Sequence, residues 1–515
     1  MNRLVSKILL SCLVLVAVAT KSIYANEGMW LPMYIKQLEG KMQSMGSKLT
    51  AEDIYSVNHA SIKDAIVSFG GYCTGEIVSS KGLLFTNHHC GYESIAALST
   101  TKNNWLKNGF WAKNHAAELP VEGLSIKIMV RMEDITSKML SEPNKDELEA
   151  KLIEEASKEG PGYTAEVKSM FYGNEYYLVV YQEFSDIRLV GTPPENIGKF
   201  GGDTDNWMWP RHTGDFSIFR IYADANNNPA SYSPNNVPYT PKKHLAVSLG
   251  GVKENDFAFI MGFPGQTQRY LTSDQITKII NEDYPLGSSI MDVKLKAMKK
   301  FMDADEAIKI QYASNYASYA NTWKYFLGNI YSAKHSNFVE VKKDFESELQ
   351  EWINADPARK EKWGTLINDI AEIQKAELKT NKLQSYVNFA YLGPDFMRYA
   401  LRFFRLPSMF VDGKKLSPQG QVVVEGIKAG VDEHFAGFNA KVDRQIFIDL
   451  SKLIFQNFSE DEIAEALNTN VKNAKGNNLD EKIEAYADEI FAKSFLVNKA
   501  KANKLLKKPT VKALK

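Results

Sequence analysis

Three cysteines in 515 residues are too few for a disulfide-stapled scaffold, and none forms the Cys-x-x-Cys pair of a zinc knuckle. An excess of charge is also missing, because 62 basic and 62 acidic side chains cancel. Nucleic-acid binding normally shows a basic surplus, so that class is set aside. The one basic run, Lys499 to Lys515, holds seven lysines and no acid, and reads as a solvated helix end. After the first 25 residues no apolar stretch is long enough to span a bilayer. Gly-Asp-Ser-Gly, Gly-Asn-Ser-Gly and Gly-x-Ser-x-Gly, settings in which a catalytic serine is commonly found, are all absent. Gly287-Ser288-Ser289 comes nearest, but it falls between helical stretches with no strand leading in, and it is not assigned as a nucleophile.

The first 25 residues have the form of an export signal. Arg3 and Lys7 precede an apolar run from Ile8 to Ala19, and a short polar stretch ends in Ile23-Tyr24-Ala25. Residues 1–25 are therefore expected to be a signal peptide cleaved after Ala25, which places the mature chain outside the cytoplasm. Cleavage removes Cys12 and leaves Cys73 and Cys90. Two cysteines this close in an oxidising compartment are expected to form a disulfide, which contributes about 3 kcal/mol for a loop of this size.

The remaining chain divides by pattern. Residues 26–272 alternate short Val-, Ile-, Phe- and Tyr-rich runs with turn residues. Examples are Ala65 to Phe69, Gly75 to Ser79, Leu83 to Thr86, Tyr177 to Tyr181, Phe216 to Tyr222 and Phe257 to Met261. That is the signature of an antiparallel barrel or sandwich. One helix is expected around Asp146 to Lys158. From Ser273 the period becomes helical: Ile276, Ile279 and Ile280, then Phe345, Leu349 and Trp352, then Leu366, Ile370 and Ile373. Residues 273–515 are therefore read as a mostly α domain.

The stretch CTGEIVSSKGLLFTNHHC, residues 73–90, carries the first chemistry. Adjacent histidines at a strand end point to opposite faces, so His88 and His89 make a poor metal pair and no metal is expected. A strand, a turn, a second strand and then a histidine beside a bridged cysteine match the surroundings of the base in chymotrypsin-like serine proteases. His89 takes that place, and His88 is expected to turn away. Asp203, Asp205 and Asp215 are the carboxylates available to orient the imidazole; Asp215 is preferred because it opens an alternating strand. Asp224, Asn226 and Asn228 resemble the start of a calcium loop, but Pro229 replaces the needed glycine and a β turn is expected.

Taken together, the segments CTGEIVSSKGLLFTNHHCGY, GKFGGDTDNWMWPRHTGDFSIFR and IMGFPGQTQRYLTS resemble the bacterial serine dipeptidyl-peptidases of the dipeptidyl-peptidase 7 and dipeptidyl-peptidase 11 type. The resemblance begins at Glu27-Gly28-Met29-Trp30 and covers the mature chain. It implies a β plus α fold, a chymotrypsin-like double β barrel with a large α-helical insertion domain in the second barrel. It implies His89 as general base, Asp215 as its orienting carboxylate, and Asn206, Trp207 and Asn321 as the groups that bind a substrate's α-amino group. Oligopeptides with a free N-terminus are the implied substrates, with no cofactor, and the implied location is the periplasm or cell surface of a bacterium. A homodimer is also consistent with it. Members continue into a segment with Gly-Asn-Ser-Gly-Ser-Pro, which carries the nucleophile and oxyanion hole; this chain stops at Lys515 in helical sequence. The expectation is thus a C-terminally incomplete exopeptidase with an incomplete second barrel, inactive alone. The alternative is a non-catalytic secreted module that binds peptide N-termini.

Overall fold

The computed structural model describes residues 29–266, 270–411 and 415–514. The expected signal peptide, residues 1–25, lies outside the described residues, as do Thr267 to Arg269 of the third resembling segment.

Short apolar runs become strands close to where the pattern puts them. They are β1 (Ile66–Phe69), β2 (Cys73–Ile77) and β3 (Leu83–Thr86), followed by helix α1 (His88–Leu98), then β4 (Phe110–Trp111), β5 (Leu119–Pro120) and β6 (Ile126–Asp134). Helix α2 (Lys145–Ser157) occupies the one helical stretch expected in this half. After it come β7 (Tyr163–Met170), β8 (Glu175–Phe184), β9 (Asp186–Thr192), β10 (Ser217–Ala223) and β11 (Val237–Pro238).

By contacts the chain forms two compact units. The smaller contains the described part of Met1–Ile66 with Ile128–Gln182 and Pro241–Met261; the larger contains Val67–Lys127, Glu183–Thr240 and Gly262–Lys515. In the smaller unit β8 lies between β6 and β7, and α2 packs on β7. Ile135, Met139, Ala156, Ala165, Leu178 and Val180 form its core. In the larger unit the strand order is β4-β9-β10-β3-β2-β1, with antiparallel pairing of β9 to β10, β10 to β3 and β3 to β2. The turn into β3 is closed by Ser79, whose Oγ accepts from Lys81 N and Leu83 N. Gly82 in that turn has φ +61°, and a Cβ there would lie 2.9 Å from the Ile221 carbonyl oxygen. Only glycine meets both conditions without strain.

From Ser273 the described chain is mainly helical: α3 (Ser273–Lys278), α4 (Tyr284–Met302), α5 (Glu306–Lys334), α6 (Phe338–Asn354), α7 (Leu366–Tyr386), α8 (Asp395–Leu401) and α9 (Ala440–Asn457). Thr272 starts the run with a capping box to Gln275. Ile290, Met298, Tyr312, Phe396, Ile446 and Leu450 belong to the main helical core.

Three expectations are corrected. Phe257 to Met261 forms no strand; with no partner strand beside it to satisfy its backbone, β propensity alone does not hold it extended. Gly287-Ser288-Ser289 does not lie between helices but inside α4, with the Ser288 and Ser289 hydroxyls bonded to carbonyls three residues back. His88 and His89 are not at a strand end; they form the first turn of α1, because the chain turns after Thr86. The stripe Phe345, Leu349 and Trp352 is helical as read, yet Phe345 and Trp352 remain 56% and 51% exposed.

The helical core contains a buried carboxylate that serves as a cap. Asp443 on α9 is fully buried, and its two oxygens accept from Asp395 N at 2.6 Å and Phe396 N at 3.0 Å, the first amides of α8. Nearby, Lys294 is 1% exposed, donates to the Gly393 carbonyl at 2.9 Å and lies over the Tyr319 ring. Asp443→Ala strands two buried donors. It is expected to destabilise the chain by about 3 kcal/mol, measured by denaturant unfolding, while leaving the His89–Asp215 pair in place.

Candidate active site

β2 and β3 run antiparallel, and the chain leaves β3 directly into α1. The Cys73–Cys90 disulfide bridges β2 to the first turn of α1. The Tyr72 hydroxyl donates to the Cys90 carbonyl at 3.2 Å. On the other side of β3, β10 pairs with it, so Ser217 faces Thr86. The Ser217 hydroxyl donates to the Asn87 carbonyl at 2.9 Å. Asp215, two residues before β10 in Ser217–Ala223 begins, is thereby brought to the N-terminus of α1.

There Asp215 does two jobs. Its Oδ1 accepts from the His89 backbone N–H at 3.0 Å. Its Oδ2 lies 2.7 Å from His89 Nδ1 and accepts from Asn87 Nδ2 at 3.3 Å. A carboxylate at a helix N-terminus meets unsatisfied amides and the positive end of the peptide dipoles. Burial pushes the Asp215 carboxyl up, but hydrogen bonds and charge from His89 outweigh it and hold it below the ordinary aspartate range. The His89 side chain is 69% exposed and that of Asp215 22%. With Nδ1 facing the carboxylate, Nε2 is the ring nitrogen left for a further partner.

His88, its neighbour, goes the opposite way and is 1% exposed. The other candidate carboxylates do not reach the imidazole. Asp203 pairs with Lys199 at 3.1 Å, and Asp203 and Asp205 lie in the helical turn Gly202–Asp205. Asp224 Oδ1 accepts from the amides of Asn226 and Asn228, both at 2.8 Å, which is the expected turn. The Cys73 and Cys90 sulfurs lie within 4.8 Å of a His89 ring nitrogen, but disulfide sulfurs offer no thiolate to a metal.

Asn206 and Trp207 follow the Gly202–Asp205 turn, and α5 meets them. Asn206 Nδ2 donates to Asn321 Oδ1 at 2.9 Å, and Trp207 Nε1 donates to the Asn321 carbonyl at 3.2 Å. The structure therefore brings the three residues together. Two further residues join them without a sequence signal. Lys324, one turn along α5, donates to the Thr204 carbonyl at 3.0 Å, and the Tyr325 ring lies 5.2 Å from that of Trp207. Their spacing from Asn321, i+3 and i+4, would have put them on the same helix face once Asn321 was chosen. Gly201 to Thr204 also line a cavity of about 520 Å³ together with Tyr92, Lys299 and Tyr316.

Comparison with known proteins places the chain in a family. The Peptidase S46 family pattern matches residues 25–515, and the chain belongs to that family. It is 39% identical over 505 residues to dipeptidyl-peptidase 7 of Capnocytophaga gingivalis, covering 96% of this chain and 69% of that protein. It is 40% identical over 491 residues to the Asp/Glu-specific dipeptidyl-peptidase of the same organism, covering 93% and 67%. Among solved structures, Porphyromonas endodontalis DPP11 in complex with the dipeptide Arg-Glu superposes with a TM-score of 0.80 at 32% identity, over 95% of this chain and 71% of that one. The observed mixture of antiparallel sheet and many helices matches that structure.

Two outcomes test the pair. Asp215→Asn removes the charged acceptor and is expected to move His89 from the Nδ1–H toward the Nε2–H tautomer, read from imidazole ¹⁵N shifts. A carboxyl held below its unfolded value contributes stability that is present above that value and lost as pH falls through the folded one. The Asp215 carboxyl should therefore stay ionised from neutral pH down to about pH 4 and protonate only at lower pH, read from its carboxyl ¹³C shift.

Proposed function

We propose that this chain is the His- and Asp-bearing portion of a serine-type exopeptidase that releases dipeptides from the free N-terminus of peptides. The observation that carries this reading is the 2.7 Å His89 Nδ1–Asp215 Oδ2 contact, with Asn206, Trp207 and Asn321 gathered on the same unit. In the proposal His89 takes the proton of a serine hydroxyl and passes it to the leaving amine. Asp215 holds the imidazole in its tautomer and stabilises the imidazolium. The amide oxygens of Asn206 and Asn321 accept from a substrate ammonium, and the Trp207 ring gives it an aromatic face. Placing the ammonium there sets how far the chain reaches before the scissile carbonyl, which is how a dipeptide is measured off.

The serine is assigned to sequence beyond Lys515. The 515 residues contain no Gly-Asn-Ser-Gly motif, and the relatives are longer, with the chain matching 69% and 67% of the two named above. The family supports a dipeptidyl-peptidase hydrolase, and the disulfide supports work in an oxidising compartment, periplasm or cell surface.

The test begins with the source DNA after codon 515. Gly-Asn-Ser-Gly-Ser-Pro within the following couple of hundred codons is the expected result; an authentic stop followed by unrelated sequence would leave the peptide-binding module as the better reading. The longer product should cleave dipeptidyl fluorogenic substrates with a free amine and spare their acetylated forms. The 515-residue chain should be slower by about 10⁶-fold, the scale of losing a serine nucleophile. In the longer product Asn321→Ala should raise KM by about tenfold, on the assumption that one charge-assisted contact is worth about 1.5–3 kcal/mol.

A further inference from the structure

His88 sits beside the base, yet the site described above gives it no task. Its ring is 1% exposed, and its Nε2 has no hydrogen-bond partner among the described residues. A leucine or phenylalanine would fill the space without burying an unpaired nitrogen, which costs about 1–3 kcal/mol. Burial pulls its pKa down to about 4 against the opposing charges of Asp215 and Glu195, with His89 and Lys199 adding to the lowering, so it is neutral at pH 7. The Tyr92 ring stands edge-on at 5.6 Å, and the Tyr92 hydroxyl donates to Glu195 at 2.8 Å.

The ring's remaining neighbour is the helical turn Glu195–Gly198. A Cβ on Gly198 would lie 2.3 Å from His88 Cδ2, 2.6 Å from Cγ and 2.7 Å from Nε2. No positive φ requires glycine at this position. Glycine in a helical turn is less favourable than alanine by about 1 kcal/mol, so the glycine answers to the imidazole above it. The same turn leads into the segment that holds Asn206, Trp207 and Asp215. Gly214 N donates to the Ile197 carbonyl at 2.9 Å, and Thr213 Oγ1 donates to the Phe200 carbonyl at 2.8 Å. The far end of that segment, Thr213-Gly214, is therefore anchored on residues to either side of Gly198.

We propose that His88 is a positioning residue: its ring, seated on Gly198, locks the helix that carries His89 to the turn that supports Asp215 and the amine-binding residues. It touches neither substrate nor nucleophile. Base and amine site are thereby held in one register, and a movement of either is transmitted to the other through this contact. The inference deepens the peptidase reading and rests on it for the meaning of the amine site, but the contact itself can be tested without it.

The test is a double-mutant cycle on the 515-residue chain: His88→Ala, Gly198→Ala and both together. The first readout is the His89 tautomer by ¹⁵N NMR; the second is calorimetric binding of trialanine, with acetyl-trialanine as control. Gly198→Ala alone should disturb the tautomer and weaken trialanine by about tenfold. His88→Ala alone should disturb the tautomer and weaken trialanine to a similar degree, and the double variant should lose less than the two single losses combined, because the deleted ring makes room for the methyl; such a coupling lies in the range seen for residues in contact. If Gly198→Ala has the same effect with and without His88, in both readouts, the proposal is overturned. If Gly198→Ala does not fold but the double variant does, the contact is established. If neither folds, His88→Ala decides: an unchanged tautomer and unchanged affinity overturn the proposal, and a disturbed tautomer supports it. A wild-type chain that ignores trialanine counts against the peptidase reading and leaves the tautomer cycle to judge His88.

Discussion

The carboxylate of Asp215 is the point on which the site depends. It closes the N-terminus of α1 through the His89 amide and holds the His89 ring with its other oxygen. One side chain thus caps a helix, joins it to the approach of β10 and holds the His89 ring. Removing it would cost the helix an N-terminal acceptor as well as the ring its orientation. The geometry is economical because β10 is already registered on β3 by backbone hydrogen bonds, so the chain entropy of bringing residue 215 to residue 89 is met by sheet formation.

Around that point the supports are independent of one another. The disulfide holds α1 from the β2 side, and the Ser217 hydroxyl holds Asn87 from the β10 side. His88 fills the underside against Gly198. A base that must hand a proton over repeatedly benefits from several restraints on its backbone, while its ring stays mostly exposed for the partner it serves. The helical part contributes through α5, whose Asn321, Lys324 and Tyr325 all meet the 204–207 segment. α5 is held in turn by α4, which rests on α9 in the core that Asp443 helps to organise.

Much of the strand pattern was legible in the sequence. The runs around β1, β2, β3, β8 and β10, and the helix at α2, appear within three residues of where alternation and helix formers put them. Phe257 to Met261 has the same composition and forms no strand, because pairing decides a strand and its own residues do not. His88 and His89 were read as the end of a strand when they begin a helix. Thr-Asn-His-His-Cys carries no strong propensity, and the helix there is made by Asp215, 126 residues away. The exposure of Phe345 and Trp352 could not be read from periodicity either, since a helical stripe says which residues share a face and not what covers it.

For the site, sequence by itself determined the chemistry available: one histidine next to a bridged cysteine, three aspartates within a short span, and Asn-Trp in a glycine-led loop. It also supplied the family likeness, because Trp-Met-Trp-Pro-Arg-His-Thr-Gly-Asp is a local string that needs no fold to be recognised. Tertiary structure decided which aspartate meets the imidazole. Asp203 and Asp205 are as close in sequence as Asp215, but only Asp215 is delivered to α1 by a strand registered on β3. It also decided that the second histidine is buried against a glycine 110 positions away, so close that a Cβ added there would lie 2.3 Å from the ring. Residue types and spacing are local properties of the chain. Which of them touch is settled by the pairing of strands and the packing of helices, and those depend on all of it at once.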